Sequence, residues 1–271
     1  MPSSVKIKHR NTVCSFTEAD HRYWTGPDDD EKSKLFHELI SVSTLVHQFQ
    51  QPFDEAKVAR NVALREGRKE SDVIADWHRK RDAACEFGTR VHETAEDCLH
   101  GRDPRNKPRD AKEKRYFGAA WRFGRELYGK YTIAGIEKMV FSETLGVAGT
   151  IDLLLKNGND YYVADWKTNE NLKKQAFNNF LPPFQHLPAD SLTTYSLQLE
   201  MYRLILKAEG FVNGSFGRGK ILWIRPDGDD PDAPVSVEVF DTKPLGEEAA
   251  MMMALRASTP WYREWLARCP F

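Results

Sequence analysis

The chain has 271 residues, 41% hydrophobic and 29% charged, with a formal net charge of −1; this suits a soluble α/β enzyme of one or two domains and excludes a uniformly basic nucleic-acid coat, though not an enzyme with a local basic groove. Four cysteines without a CxxC pair (Cys14, Cys85, Cys98 and Cys269) exclude a zinc-finger array and a disulfide-dense scaffold, and fit reduced thiols in the cytoplasm. The start lacks the apolar core of a signal peptide, and no apolar run nears the ~20 residues of a membrane span, so no membrane partner is expected.

In chain order, residues 5–25 alternate loosely and carry Phe16, Tyr23 and Trp24, which predicts a strand or hairpin. The acidic stretch 26–31 reads as a turn or exposed loop. Ser41 or Ser43 can cap a helix that begins near Thr44 and is interrupted at Pro52. Helices are predicted over 54–66, 71–100 and 111–130. Between the last two, residues 101–115 hold seven basic and three acidic side chains, a solvated loop or a phosphate-contacting edge.

Beyond residue 135 the pattern turns to strands, at 136–142, 147–156 and 161–167, with Asn157-Gly158-Asn159-Asp160 as a tight hairpin signal. Pro182, Pro183 and Pro188 argue against a long helix over 171–195. A helix follows over 195–209, ended by Gly210. Strands at 221–225 and 235–240 and a helix over 246–267 complete the chain. One central mixed β-sheet flanked by helices, with a mainly helical N-terminal arm, accounts for this α/β order.

The chemistry concentrates at the hairpin. Asp152 lies inside an apolar strand, where a lone carboxylate is costly unless paired, hydrogen-bonded or bound to a metal. Asp165 and Lys167 are two apart on the next strand and share a face. Two carboxylates and an ammonium at one point suit phosphodiester hydrolysis assisted by a hard divalent cation such as Mg²⁺; they also suit a structural salt bridge. The backbone carbonyl of Trp166 is a further candidate ligand. Upstream, Gly88, His92 and Glu96 recur every four residues on one helix face, which sets an imidazole beside a carboxylate. Downstream, Gln198 and Tyr202 form a similar pair that can hydrogen-bond phosphate or base edges. The arm supplies Arg60, Arg65, Arg68, Lys69, Arg79, Lys80 and Arg81 as candidate phosphate contacts, and Trp77 as a candidate base-stacking ring. Arg90 and Ser43 complete the expected nucleic-acid-binding set.

Gly-xxx-His-xxx-Glu (88–96), Gly-x-Ile-Asp (149–152), Asp-x-Lys-Thr (165–168) and Gln-xxx-Tyr (198–202), in this order, resemble the RecB-type branch of the PD-(D/E)xK nucleases. Two further stretches, His21-Arg22-Tyr23-Trp24 and Ile40-Ser41-Val42-Ser43-Thr44, are similar to phage-encoded and mitochondrial genome-maintenance exonucleases of that group. The resemblance implies a restriction-endonuclease-like core in a single nuclease domain, 1–271, with a hairpin and helical arm over 1–130 and the catalytic sheet over 131–271. It implies Mg²⁺ or Mn²⁺ held by His92, Asp152 and Asp165, Lys167 as catalytic lysine, and Glu96 as a ligand or supporting catalytic group. Gln198 and Tyr202 would support the site or the DNA, and Glu143 matches an acidic position of less defined role. Only Cys269 lies near the C-terminus, so no iron–sulfur cluster is expected. The implied activity is a stand-alone exonuclease on single-stranded DNA or DNA ends, serving recombination, repair or phage DNA processing. It would work beside a recombination or single-strand-binding partner, in a bacterial host cytoplasm if phage-encoded. An endonuclease, or a non-catalytic DNA-binding protein on the same fold, are the rival readings.

Overall fold

A computed structural model describes residues 4–17, 22–27, 37–170, 172–228 and 233–258. In chain order its elements are β1 (Ser4–His9), β2 (Thr12–Thr17), β3 (Arg22–Pro27), β4 (His37–Ser41), α1 (Val42–His47), α2 (Glu55–Glu66), α3 (Glu70–Leu99), α4 (Ala111–Tyr128), β5 (Thr132–Ser142), β6 (Val147–Asn157), β7 (Asp160–Lys167), α5 (Ser191–Ala208), β8 (Ser215–Phe216), β9 (Lys220–Pro226), β10 (Val235–Asp241) and α6 (Gly246–Ser258).

Side-chain caps set the helix starts. Ser41, not Ser43, caps α1, accepting from the Thr44 N–H at 3.0 Å. Asp54, Asp110 and Asp190 do the same for α2, α4 and α5, each satisfying a backbone donor that the helix leaves free. The Asp190 cap explains why α5 starts four residues earlier than the 195 expected from the prolines alone: Pro188 lies just outside the helix and does not interrupt it. Gly67 ends α2 in the left-handed conformation, φ 64°. The hairpin between β6 and β7 is a two-residue turn, Gly158-Asn159, closed by the Asn157–Asp160 pair. Of the expected turn at 26–31, Gly26 and Pro27 instead end β3 in pairing with β2; its remainder, the expected helix beyond 258, and His21 and Cys269 lie outside the described residues.

One ten-stranded mixed sheet runs in the order β1-β2-β3-β4-β6-β7-β9-β10, with β5 also pairing β6 and β8 pairing β7. The N-terminal strands therefore continue the central sheet through a short parallel contact, Ile40 and Ser41 against Val147 and Ala148. Sequence periodicity left β4 and β8 unassigned, since five and two residues are too few for alternation to show.

Two cores sandwich the sheet. On one side α1, α5 and α6 cover Val147, Ile151, Leu154 and Val163; on the other α3 and α4 cover Leu153, Leu155, Ala164 and Trp166. Strict alternation would keep Ile151 and Leu153 on one face, so β6 changes face at Asp152. A small separate core of Ala59, Ala63 and Val73 joins α2 to the first turns of α3.

Gly149 lets β6 press on α5: a Cβ there would lie 2.6 Å from Cε1 of Tyr202. Gly149→Ala is expected to lower stability by about 1–3 kcal/mol through overpacking, read as a reduced urea midpoint. An unchanged midpoint would show that the Tyr202 ring yields freely.

Candidate active site

The ladder between β6 and β7 runs from the turn only as far as Leu153–Ala164. Past that pair β7 is held by β9, in register from Ala164–Lys220 to Lys167–Trp223. The two strands thus part at Asp152 and Asp165, leaving both carboxylates in the fork. A single backbone hydrogen bond spans it, from the Trp166 N–H to Asp152 Oδ2 at 3.0 Å.

His92 reaches the fork from α3, with Nδ1 3.4 Å from Asp152 Oδ2. Its ring also contacts the Trp166 backbone in a way that favours the protonated form. The Trp166 N–H is already given to Asp152, so the group that meets His92 is the carbonyl. Gly88, one turn before His92, sits where a Cβ would meet Thr168 Oγ1 at 3.2 Å. The lack of a side chain at Gly88 thus lets α3 come close to the strand end that carries Lys167.

Lys167 ion-pairs with Asp165 Oδ2 and lies 4.6 Å from the centroid of the Tyr195 ring. Burial disfavours its charge, but Asp165 and Asp152 more than offset this and its pKa is raised. Burial raises Asp165; Lys167 pulls against the rise and Asp152 adds to it, leaving its pKa at about 6. Asp152 is raised by burial too, opposed by Lys167 and the Trp166 N–H. Burial, reinforced by the charge of Lys167, lowers His92 to about 4, so at neutral pH the imidazole has a free lone pair, as a metal ligand requires.

Among the described residues no three His, Cys, Asp or Glu side chains already form a cage for a metal ion; at Asp165 the ammonium of Lys167 supplies the positive charge. The donor set nevertheless fits a hard cation. Two carboxylates, a neutral imidazole and a backbone carbonyl border the fork, and the buried Asp165 Oδ2 makes only this ionic contact, with no well-formed hydrogen bond.

Several expected residues are placed elsewhere. Glu96 is taken by Arg102 and Arg105, each at 3.1 Å, and does not join the Asp152–Asp165 pair. Arg90 is engaged within the protein: it holds the buried Glu113 in two hydrogen bonds and also donates to Asn106 and Lys107. Together with Arg109, it keeps the Glu113 carboxyl at about 2. Arg102, Arg105 and Arg109 fold back in the same way onto Glu96, Asp97 and Glu113, so this part of the basic segment braces the neighbouring ends of α3 and α4. Tyr202 is 4% exposed beneath Gly149, its hydroxyl 3.3 Å from Gln198 Nε2; the pair supports the sheet from inside. Ser43 lies in the first turn of α1, bonded to Ser41, and Glu143 accepts from Thr12 and Thr25 of the N-terminal strands. Trp77 packs on Phe53 and within the arm core. Most arm cations meet carboxylates, such as Arg60 with Glu70 and Arg68 and Arg79 with Asp76.

Glu137 and Tyr195 escaped the sequence reading. Glu137 stands across β5 from Asp152, in the position skipped between the pairs Ile136–Leu153 and Lys138–Ile151, and has φ 46°. Its setting in the protein and the carboxylates of Asp152, Glu96 and Asp165 raise its pKa. An acidic residue within a strand-like run was the available signal. For Tyr195 the signal was its position one helical turn before Gln198.

The fork opens into a cleft of about 1210 Å³, lined by His92, Lys167 and Thr168, the α3 stretch around Gly88, the start of α4, and Ser191 and Tyr195 of α5. Residues 44–264 match the model of the PD-(D/E)XK nuclease superfamily, and the chain belongs to that superfamily of metal-dependent nucleases. No curated protein matches the chain. Among the described residues no helix is long and apolar enough to cross a membrane.

An acid whose folded pKa is raised weakens the fold at pH values above its ordinary pKa, and the cost vanishes below it. Asp152→Asn is therefore expected to melt at least as high as the parent at pH 7 in EDTA. Any advantage should shrink as pH falls from the raised value of Asp152 toward 3.8, the ordinary value for Asp, and be absent below it. A markedly lower melting temperature at pH 7 would contradict this account of the fork.

Proposed function

We propose that this chain is a Mg²⁺- or Mn²⁺-dependent DNA exonuclease acting on single strands or DNA ends. The carrying observation is the fork itself, where His92, Asp152, Asp165 and Lys167 meet, with His92 and Lys167 lining the cleft into which it opens. Asp152, Asp165, the His92 imidazole and the Trp166 carbonyl would hold the cation. Bound there, it supplies Lewis-acid polarisation of the scissile phosphate and lowers the pKa of water.

The remaining work falls to the side chains. Lys167 keeps its proton at neutral pH, and its ammonium can orient the attacking water and offset charge developing on the phosphate oxygens. The Tyr195 ring and the Asp165 carboxylate confine that ammonium to one position. His92 stays neutral and so adds no repulsion to the cation. Glu96 positions without touching the reacting atoms, through its arginine pairs.

Asp165→Asn and Lys167→Ala are each expected to reduce divalent-dependent hydrolysis of linear single-stranded DNA by about a hundredfold or more. EDTA should abolish the parent's activity. End-labelled linear strands and a covalently closed single-stranded circle, digested side by side, test the exonuclease reading. The linear strand should shorten from its ends while the circle survives. A cut circle would make the protein an endonuclease, and DNA binding without divalent-dependent hydrolysis would make it a binding module.

A further inference from the structure

Five cationic side chains line the cleft, Lys80, Arg81, Arg109, Lys112 and Lys167, against three carboxylates. Of these, Lys167 is answered by Asp165, Arg109 by Glu113 and Glu86, and Arg81 by Asp82, while Lys112 rests over aromatic rings of the wall. The volume exceeds the roughly 300–1,000 Å³ typical of a small-molecule pocket. One wall carries an aromatic pair: Phe87 and the buried Tyr116 pack edge to face, with ring centroids 4.9 Å apart at 78°. Lys112 lies over both rings, its Nζ 4.8 Å from the Phe87 centroid and 5.9 Å from that of Tyr116.

Tyr116 belongs to the core under α3 and α4 and Phe87 packs against it, but two features set Phe87 apart from the buried members. Phe87 is only half-buried, while Tyr116 beneath it is 5% exposed and anchors the orientation of its ring. In addition, a flexible, strongly hydrated ammonium covers the ring, and such a group is readily displaced toward a phosphate. Phe87 also precedes Gly88, which lies against Thr168 beside Lys167, so the ring is tied to the strand end that carries the catalytic lysine.

Resting on the nuclease reading above, we propose that Phe87 is a stacking platform for an unpaired DNA base next to the phosphate being cut, with Lys112 moving from the ring to the strand's backbone. A base inside a duplex has both faces covered by its neighbours, so only an unpaired nucleotide can use the platform. Phe87 thus becomes a determinant of single-strand preference.

The test uses the full-length protein in EDTA, so that binding is read without hydrolysis. The probe is a short single-stranded DNA carrying 2-aminopurine at successive positions, compared with the same sequence as a duplex. The parent protein should quench the fluorophore at one position of the single strand. Phe87→Leu should remove that quench and weaken single-strand binding roughly tenfold, leaving duplex binding unchanged. Phe87→Trp should restore both quench and affinity. Its added indole should also be quenched by unmodified single strand, a readout that stands even if Phe87→Leu fails to fold. Absence of quench with the parent, or equal quench and affinity in parent and a folded Phe87→Leu, would overturn the proposal. So would an unquenched indole in Phe87→Trp. Because no readout depends on cleavage, loss of the platform with hydrolysis intact sinks this inference alone, and quench without hydrolysis sinks only the nuclease reading.

Discussion

Two carboxylates forced together where a pair of strands separates is the constraint around which this molecule is arranged. Neither Asp152 nor Asp165 is favoured as an anion in its buried surroundings, and the charge of Asp152 adds to the cost at Asp165. A fold tolerates such a pair only when positive charge, donors or a cation answer it. Here the answers come from three elements: the ammonium of Lys167, the Trp166 N–H, and an imidazole carried by a helix from the other side of the sheet. The strained backbone at Glu137, directly across from the carboxylate strand, belongs to the same place. Strain of this kind survives only where neighbouring structure overdetermines it.

Two glycines explain why motifs far apart in the chain belong together. Gly88 of the helical motif admits Thr168 of the Asp-x-Lys-Thr motif, and Gly149 of the Gly-x-Ile-Asp motif admits the ring of Tyr202 from the Gln-xxx-Tyr motif. Each contact joins a helix to a strand end, one on either side of the sheet. The residues share one site because the small partner in each pair lets the larger one come close.

Most of the fold was legible in the sequence because its helices are long, amphipathic and capped, and its central strands are apolar with an Asn-Gly turn between two of them. The proximity of His92, Asp152, Asp165 and Lys167 could be read too, since alternation along β7 and the hairpin bring three of them close. What stayed hidden depended on partners distant in sequence. Arg90, Arg102, Arg105 and Arg109 looked like free cations until the structure supplied Glu113, Asp97 and Glu96 as their acceptors. Tyr202 looked half-exposed until Gly149 was seen against its ring. Phe87 carried no spacing signal at all, because what distinguishes it is that a lysine lies over the ring of a residue only partly sunk into the core.

Helix α3 is a single rod of 30 residues, about 45 Å long at 1.5 Å per residue. Its early turns are packed against α2 in the small arm core, while the turns near its far end carry His92, Glu96 and Asp97, the last two held by Arg102 and Arg105. A continuous helix bends only gently, so its two ends are not mechanically independent. The placement of the small arm core and the reach of the imidazole into the fork are therefore fixed by one and the same rod.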